Sequence, residues 1–289
     1  MKIGILTAFR PELDFIRMAK EAEAQGFDSV WVGEHTAIPW EHKTPYIGSE
    51  NSPIPEPFHR WGDSLIALTA AAMVTKHIKV CTGITQLVER DPIVTAKALA
   101  TLDIISGGRV IFGVGAGWLK EEVEFRGIKF MSRWKRLRES VEATKEIWTK
   151  TPAEYEGEFI RFPKLRIEIK PIQKPHPPIL LAAHGEKGLR RVARTYDGWF
   201  PEANDPDQFE KDINLLRKLM RDVGRDPDKL DISPSMNLES VKMSTDLLKR
   251  YRDAGANRVV PYDLGLEWSV GHEVVKKLAP IVEMAERAG

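Results

Sequence analysis

The chain has 289 residues, and its 43 Lys and Arg nearly balance its 42 Asp and Glu, which leaves a formal net charge of +1. This balance argues against a broad basic surface for nucleic acid or acidic membrane, although it leaves a local basic pocket open. The hydrophobic content of 42% is ordinary for a globular protein and argues against disorder. No apolar run approaches the ~18 residues of a membrane-spanning helix, and the apolar start of the chain is too short for a signal peptide. We therefore expect a cytoplasmic protein that binds neither nucleic acid nor membrane.

Cys81 is the single cysteine of the sequence, so a disulfide within the chain and a cysteine-based metal cluster are both excluded. It lies inside an apolar run with no acid or base beside it, which favours a buried structural thiol over a nucleophile. The histidines show no HExxH or similar spacing, so we expect no metal site.

Short apolar runs recur along the chain, and most are continuously apolar rather than alternating, which is typical of parallel strands covered on both faces. We predict eight such strands. They are Lys2–Thr7, Ser29–Gly33, Ile78–Thr85, Arg109–Val114, Ile179–Ala183, Gly198–Pro201, Leu230–Leu238 and Asn257–Tyr262.

Helical patterns separate these strands. The first opens at Pro11 and places Ile16 on its apolar face. Asp91, followed by a proline, predicts a capped helix start, and the apolar face of that helix runs from Val94 onward at helical spacing. Asp205, also followed by a proline, predicts another capped start.

Eight strand–helix units with right-handed connections predict a (β/α)8 TIM barrel that spans residues 1–289 as a single domain. An open doubly wound sheet is the alternative, but the first strand–helix turn has no glycine and so lacks the dinucleotide-binding fingerprint.

Two segments interrupt the regular alternation of strands and helices. Glu34–Trp61 is long and rich in proline, and residues 149–178 read as a small hairpin-like insertion after the fourth helix.

The residues that follow the strands of such a barrel face the active site. Four groups of candidate residues come from the ends of strands 2 to 5. They are Glu34 and His35; Gly83, Ile84, Thr85 and Gln86; Gly113, Val114, Gly115, Ala116, Gly117 and Trp118; and Ala182, Ala183, His184 and Gly185. A histidine at such a position can donate or accept a proton near neutral pH, whereas its structural alternative is a hydrogen bond to a loop carbonyl.

The glycines of the strand-4 group have two interpretations. Without a Cβ, they would let a flat ligand or a phosphate approach the backbone, or they would simply allow close packing and a turn. The backbone amides from Ala182 to Gly185 precede a helix start, where phosphate binds well. Lys187, Arg190 and Arg191 could add positive charge there, although a solvated helix face is the simpler interpretation.

Three stretches carry a resemblance to a known family. They read GFDSVWVGEHTAIP, IKVCTGITQLVERDPIVTAKALATLDIISGGRVIFGVGAGWLKEE and KPHPPILLAAHGEKGLRRVARTYDGWFP. With these residues the chain resembles the luciferase-like monooxygenase superfamily, and within it the coenzyme F420-dependent oxidoreductases. The resemblance is close over roughly residues 1–201 and implies a barrel that binds a flavin or deazaflavin at the carboxyl ends of its strands.

The resemblance also implies residue roles. His35 would be catalytic, with Glu34 beside it as a second catalytic candidate that contacts the cofactor. Gly83 and Ile84 match a bulge with a non-proline cis peptide behind the cofactor ring. The cofactor-binding set would be Glu34, Gly83, Ile84, Thr85, Gly115, Ala116, Gly117, Ala182, Ala183, His184 and Gly185.

Trp40 and Trp118 would form the wall of the substrate pocket. Trp118 stands where sugar-phosphate dehydrogenases of the family carry a glutamate acid. This departure argues against the glucose-6-phosphate reaction and leaves the second acid–base group unassigned.

The resulting hypothesis is hydride transfer between coenzyme F420 and an unidentified small organic substrate. The runner-up is an FMN-dependent monooxygenase that receives reduced flavin from a separate reductase, since one fold hosts both chemistries. A third alternative is a non-catalytic flavin-binding barrel. The resemblance also suggests a homodimer.

Overall fold

The computed structural model describes residues 1–11, 14–46, 53–263 and 271–289, with residues 271 and 272 described by their backbone only. Residues 47–52 of the long Glu34–Trp61 segment therefore lie outside the described residues. The strands are β1 (Lys2–Thr7), β2 (Ser29–Val32), β3 (Lys79–Thr82), β4 (Val110–Val114), β5 (Ala153–Glu156), β6 (Arg161–Leu165), β7 (Ile179–Leu181), β8 (Gly198–Trp199), β9 (Asp231–Ile232), β10 (Ser235–Asn237) and β11 (Arg258–Tyr262). The α-helices are α1 (Phe15–Ala24), α2 (Ser64–Val74), α3 (Pro92–Ser106), α4 (Lys120–Glu124), α5 (Arg133–Thr149), α6 (Gly185–Thr195), α7 (Pro206–Asp222), α8 (Thr245–Ala254) and α9 (Gly271–Arg287).

Nine of the strands form one parallel sheet in the order β10-β11-β1-β2-β3-β4-β7-β8-β9. The strands β9 and β10 are two pieces of one run, separated only by Ser233 and Pro234. Because β9 pairs with β8 and β10 pairs with β11, the two ends of the order meet in the sequence and the sheet curls back on itself. All eight predicted strands are present, but the seventh is divided at a proline, which has no N–H for a ladder.

A two-stranded antiparallel hairpin of β5 and β6 lies outside this sheet. It falls within residues 149–178, where the sequence predicts a hairpin-like segment. Tyr155 pairs with Phe162 and Glu156 pairs with Arg161 across the hairpin.

The core has two layers because successive strand residues point to opposite faces of the curled sheet. One face packs against the helices. The other face encloses a smaller apolar cluster, in which Trp31 stacks on Phe200 with ring centroids 4.5 Å apart. The remaining buried members of this inner cluster are Cys81, Ile111, Leu180 and Val260. Leu6, Ile84 and Ala182 pack against it while remaining partly exposed, so they mark where the inner layer ends.

The helix starts agree with the sequence in two cases and differ in one. Asp91 accepts hydrogen bonds from two backbone amides at the start of α3, and Asp205 does the same for α7, as predicted. The first helix begins at Phe15 rather than at Pro11, because the side chain of Asp14 supplies its N-cap.

The predicted apolar face of α3 is buried only in part, since Leu102 on that face is buried but Ile105 is 40% exposed. Val94 is 68% exposed, whereas Leu99 and Ala100 are fully buried. Since α3 carries apolar residues around most of its circumference, helical spacing alone does not identify the buried side. The neighbouring helix α2 is apolar all round in the same way, and its Ile66 is 74% exposed.

Candidate active site

The ends of β2, β3 and β4 meet at one edge of the sheet, as the sequence predicts. The amide of Gln86, after β3, donates to Glu34 Oε1, after β2, over 3.1 Å. The amide of Thr85 donates to the carbonyl of Gly113 in β4 over 2.9 Å. The Ala182 amide donates to the carbonyl of Val114, which brings the end of β7 to the same edge.

His35 is buried and its Nδ1 lies 2.6 Å from Glu122 Oε2. Glu122 is on the short helix α4, and its side chain is fully buried. Its Oε1 accepts the amides of Thr36 at 2.9 Å and Ala37 at 3.3 Å, while Oε2 also accepts from Gln86 Nε2 at 3.1 Å. The site therefore holds an imidazole–carboxylate pair that ties the strand-2 loop to α4.

Glu34 is also buried, but protein donors occupy both of its carboxylate oxygens. Arg90 donates through Nε to Oε1 at 3.0 Å and through Nη2 to Oε2 at 2.7 Å. Ser64 Oγ donates to Oε2 at 2.6 Å, and the Gln86 amide completes the set at Oε1. The geometry gives Glu34 a scaffolding role, because each oxygen already accepts two hydrogen bonds.

The Gly83–Ile84 peptide bond is cis, as predicted. The predicted bulge is present as well. Between the pair Cys81–Ile111 and the bridge Thr85–Val114, the β3 side contains one more residue than the β4 side.

Gly113 in β4 and Gly115 directly after it make room for this bulge. A Cβ on Gly115 would lie 2.6 Å from Ile84 Cδ1, and one on Gly113 would lie 2.2 Å from the carbonyl oxygen of Thr82. Gly117 has a φ of +77°, and a Cβ there would meet Gln86 Oε1 at 2.7 Å. Of the two interpretations of these glycines, the contacts therefore support close packing.

Leu6, Ile84 and Ala182 form a partly exposed apolar floor beside the bulge. Thr85 presents a buried hydroxyl that has no hydrogen-bond partner among the described residues. An apolar floor with a few polar atoms at its edge is the surface that a planar ring requires. These residues thus fit the ring of a flavin or deazaflavin.

The segment from Ala182 to Gly185 leads into α6. His184 and Gly185 are exposed, and no side chain caps this helix start. The cations proposed from the sequence are already engaged in part: Arg190 Nε donates to Glu186 at 3.0 Å, and Arg191 lies 4.4 Å from the Trp134 ring centroid. The backbone amides are therefore the stronger anion-binding candidates here.

Aromatic rings surround His35. The ring centroids of Phe58, Trp61 and Trp118 lie 5.6, 5.6 and 5.8 Å from that of His35. Tyr46 extends this aromatic cluster through contacts with Phe58 and Trp118. Trp118 thus belongs to the cluster around His35, whereas Trp40 is 100% exposed and lies outside it.

A third acidic residue lies close to the pair. Glu89 is buried, and Arg126 Nε lies 3.8 Å from its Oε2. Burial raises the pKa of Glu89 to about 8, with the charge of Glu122 acting in the same direction, against opposing effects of Thr36 and Arg126. Glu89 is therefore protonated at neutral pH.

Glu122, Glu89 and Arg90 do not appear among the residues selected from the sequence. One sequence signal pointed to Glu122: the second acid–base group had no assigned residue, and two glutamates follow shortly after Trp118.

Over the four described stretches of chain, no cluster of three His, Cys, Asp or Glu side chains has the arrangement of a metal site. None of the helices in these stretches has the length and hydropathy of a membrane-spanning segment.

Two curated relatives place these features in context. An uncharacterized protein of Mycobacterium tuberculosis (strain H37Rv) is 36% identical over 244 residues, which cover 84% of this chain and 84% of that protein. An F420-dependent glucose-6-phosphate dehydrogenase of Amycolatopsis mediterranei is 33% identical over 190 residues, covering 64% of this chain and 52% of the dehydrogenase.

Two solved structures share the fold, each with a TM-score of 0.78. One is the monooxygenase RslO1 from Streptomyces bottropensis, with 22% identity and coverage of 98% of this chain and 99% of that one. The other is an F420-dependent secondary alcohol dehydrogenase in complex with an F420–acetone adduct, with 20% identity and coverage of 98% of both chains. The family model for luciferase-like monooxygenases matches residues 1–258. The chain belongs to the luciferase-like monooxygenase family.

Proposed function

We propose that this protein is an oxidoreductase that transfers a hydride between the deazaflavin coenzyme F420 and a small organic substrate. The observation that carries this proposal is the bulge at Gly83 and Ile84 together with a buried His35, at one edge of the curled sheet. One F420-dependent relative and one F420-dependent structural neighbour support the choice of coenzyme.

The cofactor would supply the hydride chemistry, and the residues of the chain would bind, orient and shield it. Ile84, Leu6 and Ala182 would support the ring as an apolar floor. Thr85 offers its unpaired hydroxyl to a polar ring atom, and the amides from Ala183 to Gly185 would meet the phosphate of the tail. The cofactor contacts that the resemblance implies for Gly83, Gly115, Ala116 and Gly117 stay predictions, and the close packing of Gly115 would serve the cofactor by holding the Ile84 side chain in place.

His35 would transfer the proton that accompanies hydride transfer to or from the substrate. The aromatic cluster around it would exclude water and would favour an uncharged organic substrate. Glu34 would act as a positioning residue, because its hydrogen bonds with Arg90 and Ser64 hold the start of the strand-2 loop. Its contact with the cofactor stays a prediction from the resemblance.

Cofactor titration tests the proposal directly. We expect tighter binding of F420 than of FMN when both are followed by fluorescence or calorimetry at one salt concentration. Ile84→Ala should weaken binding because it removes part of the floor. Ile169→Ala is the matched control, since Ile169 is exposed in the connection after β6 and its truncation should leave affinity unchanged. Stronger binding of FMN, or no binding of either cofactor, would contradict the proposal.

The role of His35 is tested separately. We expect His35→Ala to lower turnover by about 10²–10⁴-fold while cofactor affinity changes little, as for other general acid–base groups. His77→Ala is the control, because His77 is exposed in the connection between α2 and β3. A parallel loss of cofactor binding and turnover would make His35 a cofactor ligand instead.

An FMN-dependent monooxygenase is the second candidate function, because the monooxygenase RslO1 matches the fold with the same TM-score as the F420-dependent enzyme. It would require a separate reductase to supply reduced FMN. Oxygen consumption with reduced FMN, together with stronger FMN binding, would favour this candidate. Failure to bind either cofactor would favour a non-catalytic barrel.

We further propose that residues 1–289 form a single barrel domain in the cytoplasm, with residues 149–178 as an insertion.

We also propose a homodimer. The side chains of Ile66, Met73 and Val94 form an exposed apolar face on α2 and α3, and a second copy of the chain would cover that face. Light scattering on the wild type and on an Ile66→Asp variant tests the homodimer, and a monomeric wild type would contradict it.

A further inference from the structure

We propose that Glu122 is a positioning residue that keeps the Nδ1 proton on His35 and leaves Nε2 as the atom that exchanges a proton with substrate. The inference rests on the proposed function of His35 as the proton-transfer group. Glu122 itself acts through His35.

The hydrogen bonds around Glu122 identify which group donates. Two backbone amides, from Thr36 and Ala37, donate to Oε1, and the Gln86 side-chain amide donates to Oε2. A carboxyl that accepts from three N–H donors behaves as an acceptor on both oxygens. The 2.6 Å contact between Oε2 and His35 Nδ1 then requires a proton on Nδ1, because two acceptors do not form a hydrogen bond.

The neighbours of His35 agree with this assignment. Gln86 Nε2 lies 3.3 Å from Nδ1, but its closer partner is Glu122 Oε2 at 3.1 Å. Both donors therefore converge on one carboxylate oxygen. Since a neutral imidazole carries one proton, a proton on Nδ1 leaves Nε2 as an acceptor.

The burial of the pair makes the arrangement specific. The side chain of His35 is 5% exposed and that of Glu122 is 0% exposed. Water therefore does not compete for the Nδ1 proton, and the imidazole orientation is fixed by one charge-assisted hydrogen bond. A carboxylate that orients a catalytic histidine in this way acts on tautomer and geometry rather than on the substrate.

The chain contains a matched control on the same helix. Glu121 precedes Glu122 in α4, and its Oε1 accepts the amides of Lys43 at 2.8 Å and Thr44 at 3.1 Å. Glu121 thus anchors the same loop through the same type of contact but does not touch His35. Replacing Glu121 removes loop anchoring alone, whereas replacing Glu122 removes loop anchoring and the histidine partner together.

The test is long-range ¹H–¹⁵N NMR of the cofactor-free protein labelled with ¹⁵N-histidine. The chain has seven histidines, and the His35 signals are assigned by their loss in His35→Ala. We expect the wild type to carry a proton on Nδ1 across pH 6–9. Glu122→Gln should move the proton of the neutral ring to Nε2, Glu122→Asp should restore Nδ1 in part, and Glu121→Gln should leave the wild-type pattern.

Three results would overturn the inference. The first is a wild type whose neutral ring is protonated on Nε2, a measurement that does not depend on any variant being folded. The second is an unchanged Nδ1 proton in a folded Glu122→Gln. The third is an equal change of tautomer in Glu121→Gln, which would assign the effect to loop anchoring.

Kinetics give a second readout once a substrate is in hand. We expect Glu122→Gln to lower kcat by between about 10- and 10⁴-fold with a smaller change in KM, because tautomer and orientation are lost while the pocket remains. A change confined to KM would contradict a positioning role. Because the NMR experiment needs no cofactor, failure of F420 to bind would overturn the proposed function and leave the tautomer result standing.

Discussion

Replacing Glu89 with glutamine should make the protein more stable at pH 8 and should change its stability little at pH 5. In the folded chain, burial and the charge of Glu122 raise the pKa of Glu89 from 4.5 to about 8. Between these two pH values the folded state keeps a proton that the unfolded state has released. The wild type therefore loses stability as the pH rises from about 4.5 to 8, and the loss is complete above pH 8.

The size of the effect follows from the shift. A difference of about 3.5 pH units, at ~1.4 kcal/mol for each unit, sets an upper limit of about 5 kcal/mol. The value of about 8 already includes the opposing effect of Arg126, 3.8 Å from Glu89. Rearrangement of the pocket on ionisation will offset part of the limit, so we expect a gain of about 2–4 kcal/mol for Glu89→Gln at pH 8. Glutamine keeps the shape of the protonated carboxyl and has no proton to lose.

The assay is urea unfolding followed by tryptophan fluorescence at pH 5, 6, 7 and 8. The control is Glu124→Gln, which makes the same chemical change at an exposed position on α4. The difference in unfolding free energy between Glu89→Gln and the wild type should grow with pH, while that for Glu124→Gln should stay near zero. A difference for Glu89→Gln that is constant from pH 5 to 8 would refute the reasoning.

Three further predictions concern packing and charge near the site. Gly113→Ala should destabilise the fold by more than about 3 kcal/mol, because its Cβ would meet a backbone carbonyl oxygen. Gly115→Ala should cost about 1 kcal/mol, because its Cβ would meet the end of a side chain that can move. Equal losses of stability in thermal unfolding would contradict this difference. Arg90→Met should destabilise the folded state by about 3–5 kcal/mol in urea unfolding, because it leaves the buried carboxylate of Glu34 without its ion-pair partner. A change below about 1 kcal/mol would mean that folding does not depend on this ion pair. Burial raises the pKa of Cys81, so an aromatic disulfide reagent should react only as the chain unfolds; rapid reaction of one thiol in native buffer would be inconsistent with its burial.

The sequence predicts the strands well because continuous apolar runs are hard to place anywhere except in a covered parallel sheet. The capped starts at Asp91 and Asp205 were predictable because an N-cap acts within a few residues of itself. The start of α1 was not, since Pro11 and Asp14 both suit a helix start and only Asp14 caps it. The buried face of α3 was not predictable either, because the helix is apolar around most of its circumference.

The location of the site follows from the strand ends, but its internal contacts do not. His35 and Glu122 are 87 positions apart, and their pairing depends on how a five-residue helix packs over the strand-2 loop. The scaffolding role of Glu34 depends in the same way on Arg90, 56 positions along the chain. Sequence spacing carries no information about such contacts.

The manner in which α4 holds the strand-2 loop bears on how readily this site could acquire a new specificity. Glu121 and Glu122 bind the loop through the backbone amides of residues 36, 37, 43 and 44, and the side chain of Thr44 adds one further hydrogen bond to Glu121. Every residue except proline supplies such an amide. The loop can therefore exchange side chains at these four positions and keep its backbone attachment. A mutant library with all residues but proline at these positions should retain folded members with varied loop surfaces, which makes this loop a practical starting point for redesigning substrate choice.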